Sequence, residues 1–295
     1  MRRPLLALLP VLLVALVLPA CSTEPATDRT PAATAPSAAS SPASSPTAEP
    51  EPEPAPAPDP GTVPPSWLGS RALPLTEDGY GEVRRTPRAL RDRRFTLPDR
   101  LPPLPGRGFA SRVRDPAPAG VLARSTWQPG CPVGRDELAW VRVAFHGFDG
   151  ARHTGELLVA SAVADDLVSV FRDLWRARFP LEELRITTAA ELDLAPTGDG
   201  NNSGAFVCRP VTGGTSYSEH ALGLAVDLNP FHNPYRRGDV VLPELASAYL
   251  DRADVRPGMV VAGGPVVRAF ERIGWGWGGA WTSLTDPQHF SLSGG

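Results

Sequence analysis

Two short stretches constrain the fold of this chain more than anything else in it: Ser218-Glu-His220-Ala-Leu-Gly223-Leu-Ala225-Val-Asp227 and Asp286-Pro-Gln-His289. His220, Asp227 and His289 are the residue types that bind zinc while leaving one coordination position open. Ligands of one ion each sit about 2 Å from it, whereas seven extended residues span about 23 Å. The chain must therefore reverse between His220 and Asp227, and Gly223 permits the reversal at least steric cost. Beyond it, Leu224, Val226 and Leu228 alternate with Ala225, Asp227 and Asn229. That alternation predicts a strand with Asp227 on its polar face. Asp286 and His289 point the same way only if the backbone turns, and Pro287 favours a turn. Asp286 is then free to move protons beside the ion, which is the minimum equipment for metal-assisted hydrolysis.

The folded part is expected over residues 120–295, enough chain for a real core. Residues 140–145, 155–159, 184–188 and 289–292 read as strands. Val163, Leu167, Val170, Phe171, Leu174 and Trp175 recur at helical spacing and predict a helix over 164–179, stopped by Pro180. A second helix is expected over 264–273, with Pro265 in its first turn and Gly274 just past its end. Strands and helices without regular βαβ alternation favour an α+β fold.

The beginning of the chain has a different character. Residues 1–20 read as a lipoprotein signal peptide: Arg2 and Arg3, then an apolar run too short to span a bilayer comfortably, then Leu18-Pro-Ala20-Cys21. The last four residues resemble a bacterial lipobox, which implies a lipid on Cys21. An anchor of two or more acyl chains would hold the protein stably on a membrane, at the outer face of the cytoplasmic membrane, in the cell-wall space. Residues 21–65 form a Pro/Ala/Ser linker that cannot bury enough surface to fold, with a reach of roughly 100 Å. Residues 66–119 read as an extended Arg/Pro-rich region, either an anion-binding segment or an arm lying on the domain.

A net charge of −3 gives no sign of nucleic acid as a partner. All 29 basic residues are Arg. With Cys21 lipidated, Cys131 and Cys208 remain. In an exported chain such a pair reads as a disulfide worth about 4–5 kcal/mol in the chain-entropy picture, the alternative being two buried thiols. His146, His153 and His232 lack a site motif and read as structural hydrogen-bonding residues. Trp275, Trp277 and Trp281 cluster among glycines, either as core or as walls of a cleft. Oligomeric state is not encoded in any motif; a monomer is the working expectation.

The two motifs, together with Cys208-Arg209-Pro210, Ser218 to Pro230 and Gly274-Trp-Gly-Trp-Gly-Gly279, resemble the zinc D-alanyl-D-alanine peptidases of the vancomycin-resistance carboxypeptidase type. That family belongs to the lysostaphin and Hedgehog group of folds. The resemblance runs over most of Cys131 to Phe290. It implies a small antiparallel sheet with flanking helices, zinc held by His220, Asp227 and His289, and Asp286 as catalytic base where many relatives carry Glu. It also nominates Arg209 and Ser218 as substrate contacts. The implied activity is hydrolysis of peptidoglycan stem peptides, by a D,D-carboxypeptidase or by an endopeptidase cutting, for example, between L-Ala and D-Glu. A zinc-containing wall-binding lipoprotein without catalysis is the third reading.

Overall fold

Between residues 138 and 160 the chain doubles back as a long hairpin whose apolar side chains are almost wholly excluded from water. This hairpin is the middle of a four-stranded sheet. Strands β1 (Ser111–Arg114), β2 (Leu138–Gly147) and β3 (Arg152–Ala160) are antiparallel, and the short β4 (Pro180–Leu181) runs parallel to the end of β2. A short helix, α1 (Ala119–Leu122), links β1 to β2. Helix α2 (Ala164–Arg176) covers one face, burying Leu167, Val170, Phe171 and Leu174 at the spacing expected of an amphipathic helix. It ends before Pro180 because Arg178 adopts a left-handed φ of 52° and Phe179 N–H turns back to the Leu174 carbonyl.

The predicted strand over 184–188 is only two residues long: β5 (Glu183–Leu184) pairs in parallel with β6 (Asn202–Ser203). The chain leaves it because Thr188 caps helix α3 (Ala189–Leu192), with Glu191 reaching back in a reciprocal capping box. A second sheet is made of β7 (Ala225–Asp227), β10 (Gly276–Trp277) and β11 (His289–Ser291), with β11 central and all pairs antiparallel. The hairpin β8 (Tyr235–Arg237) and β9 (Val240–Leu242) precedes helix α4 (Pro265–Glu271). Gly274, just past α4, has φ 78°. The architecture is α+β.

The register of the second sheet joins site to core. Asp227 lies opposite His289, and Val226 lies opposite Phe290. Successive residues point to opposite faces, so one pair faces the cleft while the next enters the core, where Phe290 stacks on Phe270 of α4 at 3.9 Å. Fully burying a side chain of that size contributes about 1.5–3 kcal/mol. A slip of one residue would drive the polar pair into the core.

The computed structural model describes residues 59–294, which belong to one compact unit. The signal peptide, Cys21 and most of the 21–65 linker lie outside the described residues. The stretch 66–119, expected to be extended, has little regular structure but packs as part of this unit rather than ahead of residue 120. Leu90 and Phe95 are buried with Phe231, Leu245 and Tyr249. Arg93 is buried as well: its guanidinium grips both carboxylate oxygens of Glu182 at 2.6 Å and donates to the Asp199 carbonyl. The apolar residues of this Arg-rich stretch carry the contact, while β1 adds an edge to the main sheet. No helix among the described residues is long and apolar enough to cross a membrane.

Candidate metal centre and cleft

His220 sits on a single turn of 3₁₀ helix, Glu219–Leu222, capped by Ser218, whose hydroxyl accepts the His220 N–H. Gly223 ends the turn with φ 69°. A Cβ there would lie 2.4 Å from the Ala160 nitrogen of β3, so both the left-handed turn and the close approach require glycine. The chain then enters β7, which delivers Asp227. At the other end, His289 N–H closes a turn onto the Asp286 carbonyl at 3.0 Å, with Pro287 inside it. Trp277 Nε1 holds that turn through the Pro287 carbonyl.

These elements bring three donors together. His220 Nε2 lies 3.2 Å from His289 Nδ1 and 3.2 Å from Asp227 Oδ2, and His289 Nδ1 lies 3.1 Å from Asp227 Oδ1. One ligand atom from each residue falls within 4.8 Å of the other two. The donor chemistry fits a divalent cation. His220 Nδ1 approaches the Ala205 carbonyl at 2.5 Å. A carbonyl can only accept, so the proton sits on Nδ1 and Nε2 presents a lone pair to the cluster. Burial opposes ionisation of Asp227, but the His220 and His289 imidazoles, when they carry the positive charge that a bound cation would otherwise supply, outweigh it and hold its carboxyl well below the usual range. The carboxylate is thus in the state a metal takes.

Asp286 is built differently. Its Oδ1 is sealed from solvent and has no hydrogen-bond partner. Burial and the nearby Asp227 charge push its pKa up to about 7. A buried acceptor with nothing to accept is unusual and costs stability. Here it stands beside a cleft of about 1060 Å³ that also exposes the three donors.

The other nominated residues are distributed as follows. Arg209 is half-buried, lines the cleft and donates to the Pro210 carbonyl. Ser218 lines the cleft as the cap of the His220 turn. Cys131 and Cys208 are joined by a disulfide, which fixes the residue before Arg209. Trp281 is a cleft wall, its ring 5.5 Å from His289, whereas Trp275 belongs to the core. His146 stacks on Trp175, His153 is held between Asp99 and Asp149, and buried His232 contacts the Arg93 carbonyl and Asn201. Asn229 and Asn233 bind backbone carbonyls, and Glu219 lies by the Ser293 amide. The Ala205 carbonyl was not foreseen, because a backbone acceptor leaves no trace in residue identity. Tyr235 and Arg237 were also missed, although their two-residue spacing on a strand was a legible sign of a shared face.

A pair of imidazoles and a carboxylate, with an adjacent acid on an open cleft, form a cluster that could hold a metal ion. Residues 212–292, which carry all four of these groups, match the family described as D-alanyl-D-alanine carboxypeptidase. The match supports a peptidase of the D-alanyl-D-alanine carboxypeptidase-like kind. Comparison with curated proteins and with solved structures gave no match.

Proposed function

We propose that this chain is a zinc-dependent peptidase that hydrolyses peptidoglycan stem peptides, acting foremost as a D-alanyl-D-alanine carboxypeptidase. The observation that carries this reading is the convergence of His220, Asp227 and His289 beside an Asp286 carboxyl with one unpartnered oxygen, on a substrate-sized cleft. His220 Nε2, His289 Nδ1 and an Asp227 oxygen would hold the zinc. When bound, zinc would supply a Lewis acid that polarises a carbonyl and makes water more acidic.

The protein's own groups do the rest. Asp286 takes the proton of the attacking water and passes it to the leaving amine, a role suited to a carboxyl whose pKa lies near neutrality. Arg209 takes the free carboxylate of a terminal residue, a charge-assisted contact. Trp281 walls the peptide and limits water. The Ala205 carbonyl keeps the His220 ring in one tautomer. The lipid on Cys21 and the linker would place this domain in the cell-wall space, outside the cytoplasmic membrane. A purely binding role leaves the buried Asp286 acid without a purpose.

The test is mass spectrometry of defined muropeptides incubated with the protein, with and without chelator. Free alanine, lost on chelation, is the expected product. A stem cut internally would move the activity to the endopeptidase class, and no product with any added metal would overturn the enzymatic reading.

A further inference from the structure

Five arginines line the cleft, and they fall into two groups. Arg93 pairs with Glu182, Arg100 with Glu183, and Arg185 with both Glu183 and Glu191. Arg209 and Arg237 have no carboxylate partner among the described residues. Both lie at the Asp286 end. Backbone hydrogen bonds between Arg236 and Thr285, at 2.8 and 3.0 Å, hold β8 against the residue preceding Asp286. Tyr235 and Arg237 are two apart on β8 and share its cleft-facing side, whereas Arg236 points away. Tyr235, Arg237, Arg209 and Asp286 all line this cleft.

The Arg237 guanidinium has a built seat. Gly213, at φ 71°, belongs to the loop that follows Arg209, and a Cβ on it would fall 2.6 Å from Arg237 Nη2. The missing side chain lets the guanidinium lie on that loop beside the Tyr80 hydroxyl, which is 3.3 Å from the same point. An exposed Arg usually satisfies its charge with a nearby acid or with water. Two held at one end of a cleft, while every other cleft Arg is paired, are arranged for an anionic ligand.

We propose that Arg237, seated on Gly213, is a specificity-determining residue that binds a second carboxylate of the substrate, one carried on a side chain beyond the terminal carboxylate assigned to Arg209. The preferred ligand is thus an acidic peptide with two carboxylates rather than a simple dipeptide. This identity of the ligand rests on the peptidase reading above; the anion subsite itself does not.

The experiment measures binding by calorimetry with matched tetrapeptides ending in D-Ala-D-Ala. Their last linkage is replaced by a non-cleavable ketomethylene group. One peptide carries a side-chain carboxylate on the residue preceding that pair, the other the corresponding carboxamide. The native zinc-loaded protein should bind the acid about tenfold more tightly, the scale of one charge-assisted contact. Arg237→Gln should bind both peptides equally, at the carboxamide level, and Arg237→Lys should recover part of the preference. Thermal unfolding of both variants should match the parent, since Arg237 is exposed. The proposal is overturned if Arg237→Gln keeps the preference or if the native protein has none. A preference that persists in a protein that cuts no cleavable peptide would sink the peptidase reading and leave the subsite standing.

Discussion

Glu182 and Asp286 are acids along the same cleft, the first wholly buried and the second with one oxygen sealed from solvent, yet their surroundings differ in kind. Both oxygens of Glu182 are filled by Arg93, and Asn201 adds a third donor at 2.7 Å. Around them, His232 and Tyr249 bind the Arg93 backbone, and the guanidinium lies over Phe95 and Phe231. Nothing is left over for a ligand. Asp286 has an oxygen with no partner, next to three side chains whose lone pairs converge on one point. A saturated buried network fixes one arrangement of the chain; an unsaturated one spends stability to keep chemistry available. The Arg93 network pins the N-terminal arm to the domain, and the Asp286 cluster faces the cleft.

That contrast can be broken from either side. The largest effect is expected from His220→Ala or His289→Ala. Each should lose bound zinc and at least about a thousandfold in turnover, with folding largely preserved, as read by metal analysis and peptide hydrolysis. Asp286→Asn should keep its zinc while hydrolysis falls by about 10²–10⁴-fold; a variant with full activity would remove Asp286 from the chemistry. On the saturated side, Glu182→Gln should leave Arg93 buried and uncompensated. It should cost about 3–5 kcal/mol in urea unfolding, without change in zinc stoichiometry.

The smallest effect at any single pH step is a pH dependence. Burial holds the His232 pKa down to about 3 in the folded protein, against 6.5 for a free side chain. The unfolded chain therefore binds the extra proton between these values. His232's contribution to stability is complete above about pH 6.5 and is lost as pH falls toward 3, at no more than about 1.4 kcal/mol per pH unit. Unfolding midpoints of wild type and His232→Asn across this range should converge as pH drops. Parallel curves would show that His232 does not carry the dependence.

The unsaturated cluster was legible in the sequence and the saturated one was not. His220, Gly223 and Asp227 sit within one reversal, so spacing and alternation already placed them, and Asp286-Pro-Gln-His289 announced its own turn. Arg93 and Glu182 meet across 89 residues with no local pattern on either side. A buried Arg inside an Arg-rich stretch looks like any of its neighbours. The strand expected over 184–188 failed for a readable reason: Thr188-Ala-Ala-Glu191 is a capping signal that ends it and opens a helix. Helix α2 ran short of Pro180 because Arg178 took up a left-handed conformation that residue identity does not advertise.

The Cys131–Cys208 bond ends one residue before Arg209, so it governs one rim of the cleft. Without it, that rim would be tied back to residues 126–133 by the Thr126 contact to the Cys208 amide, the Tyr217 contact to the Gly130 carbonyl and the packing of Trp127 and Val133 with Phe206. The same rim reaches the His220 turn, through Val207 N–H to the His220 carbonyl and Ser218 N–H to the Arg209 carbonyl. A thiol-reduced molecule would therefore slacken at this rim first, and the slack would pass along those two bonds to the turn that carries His220.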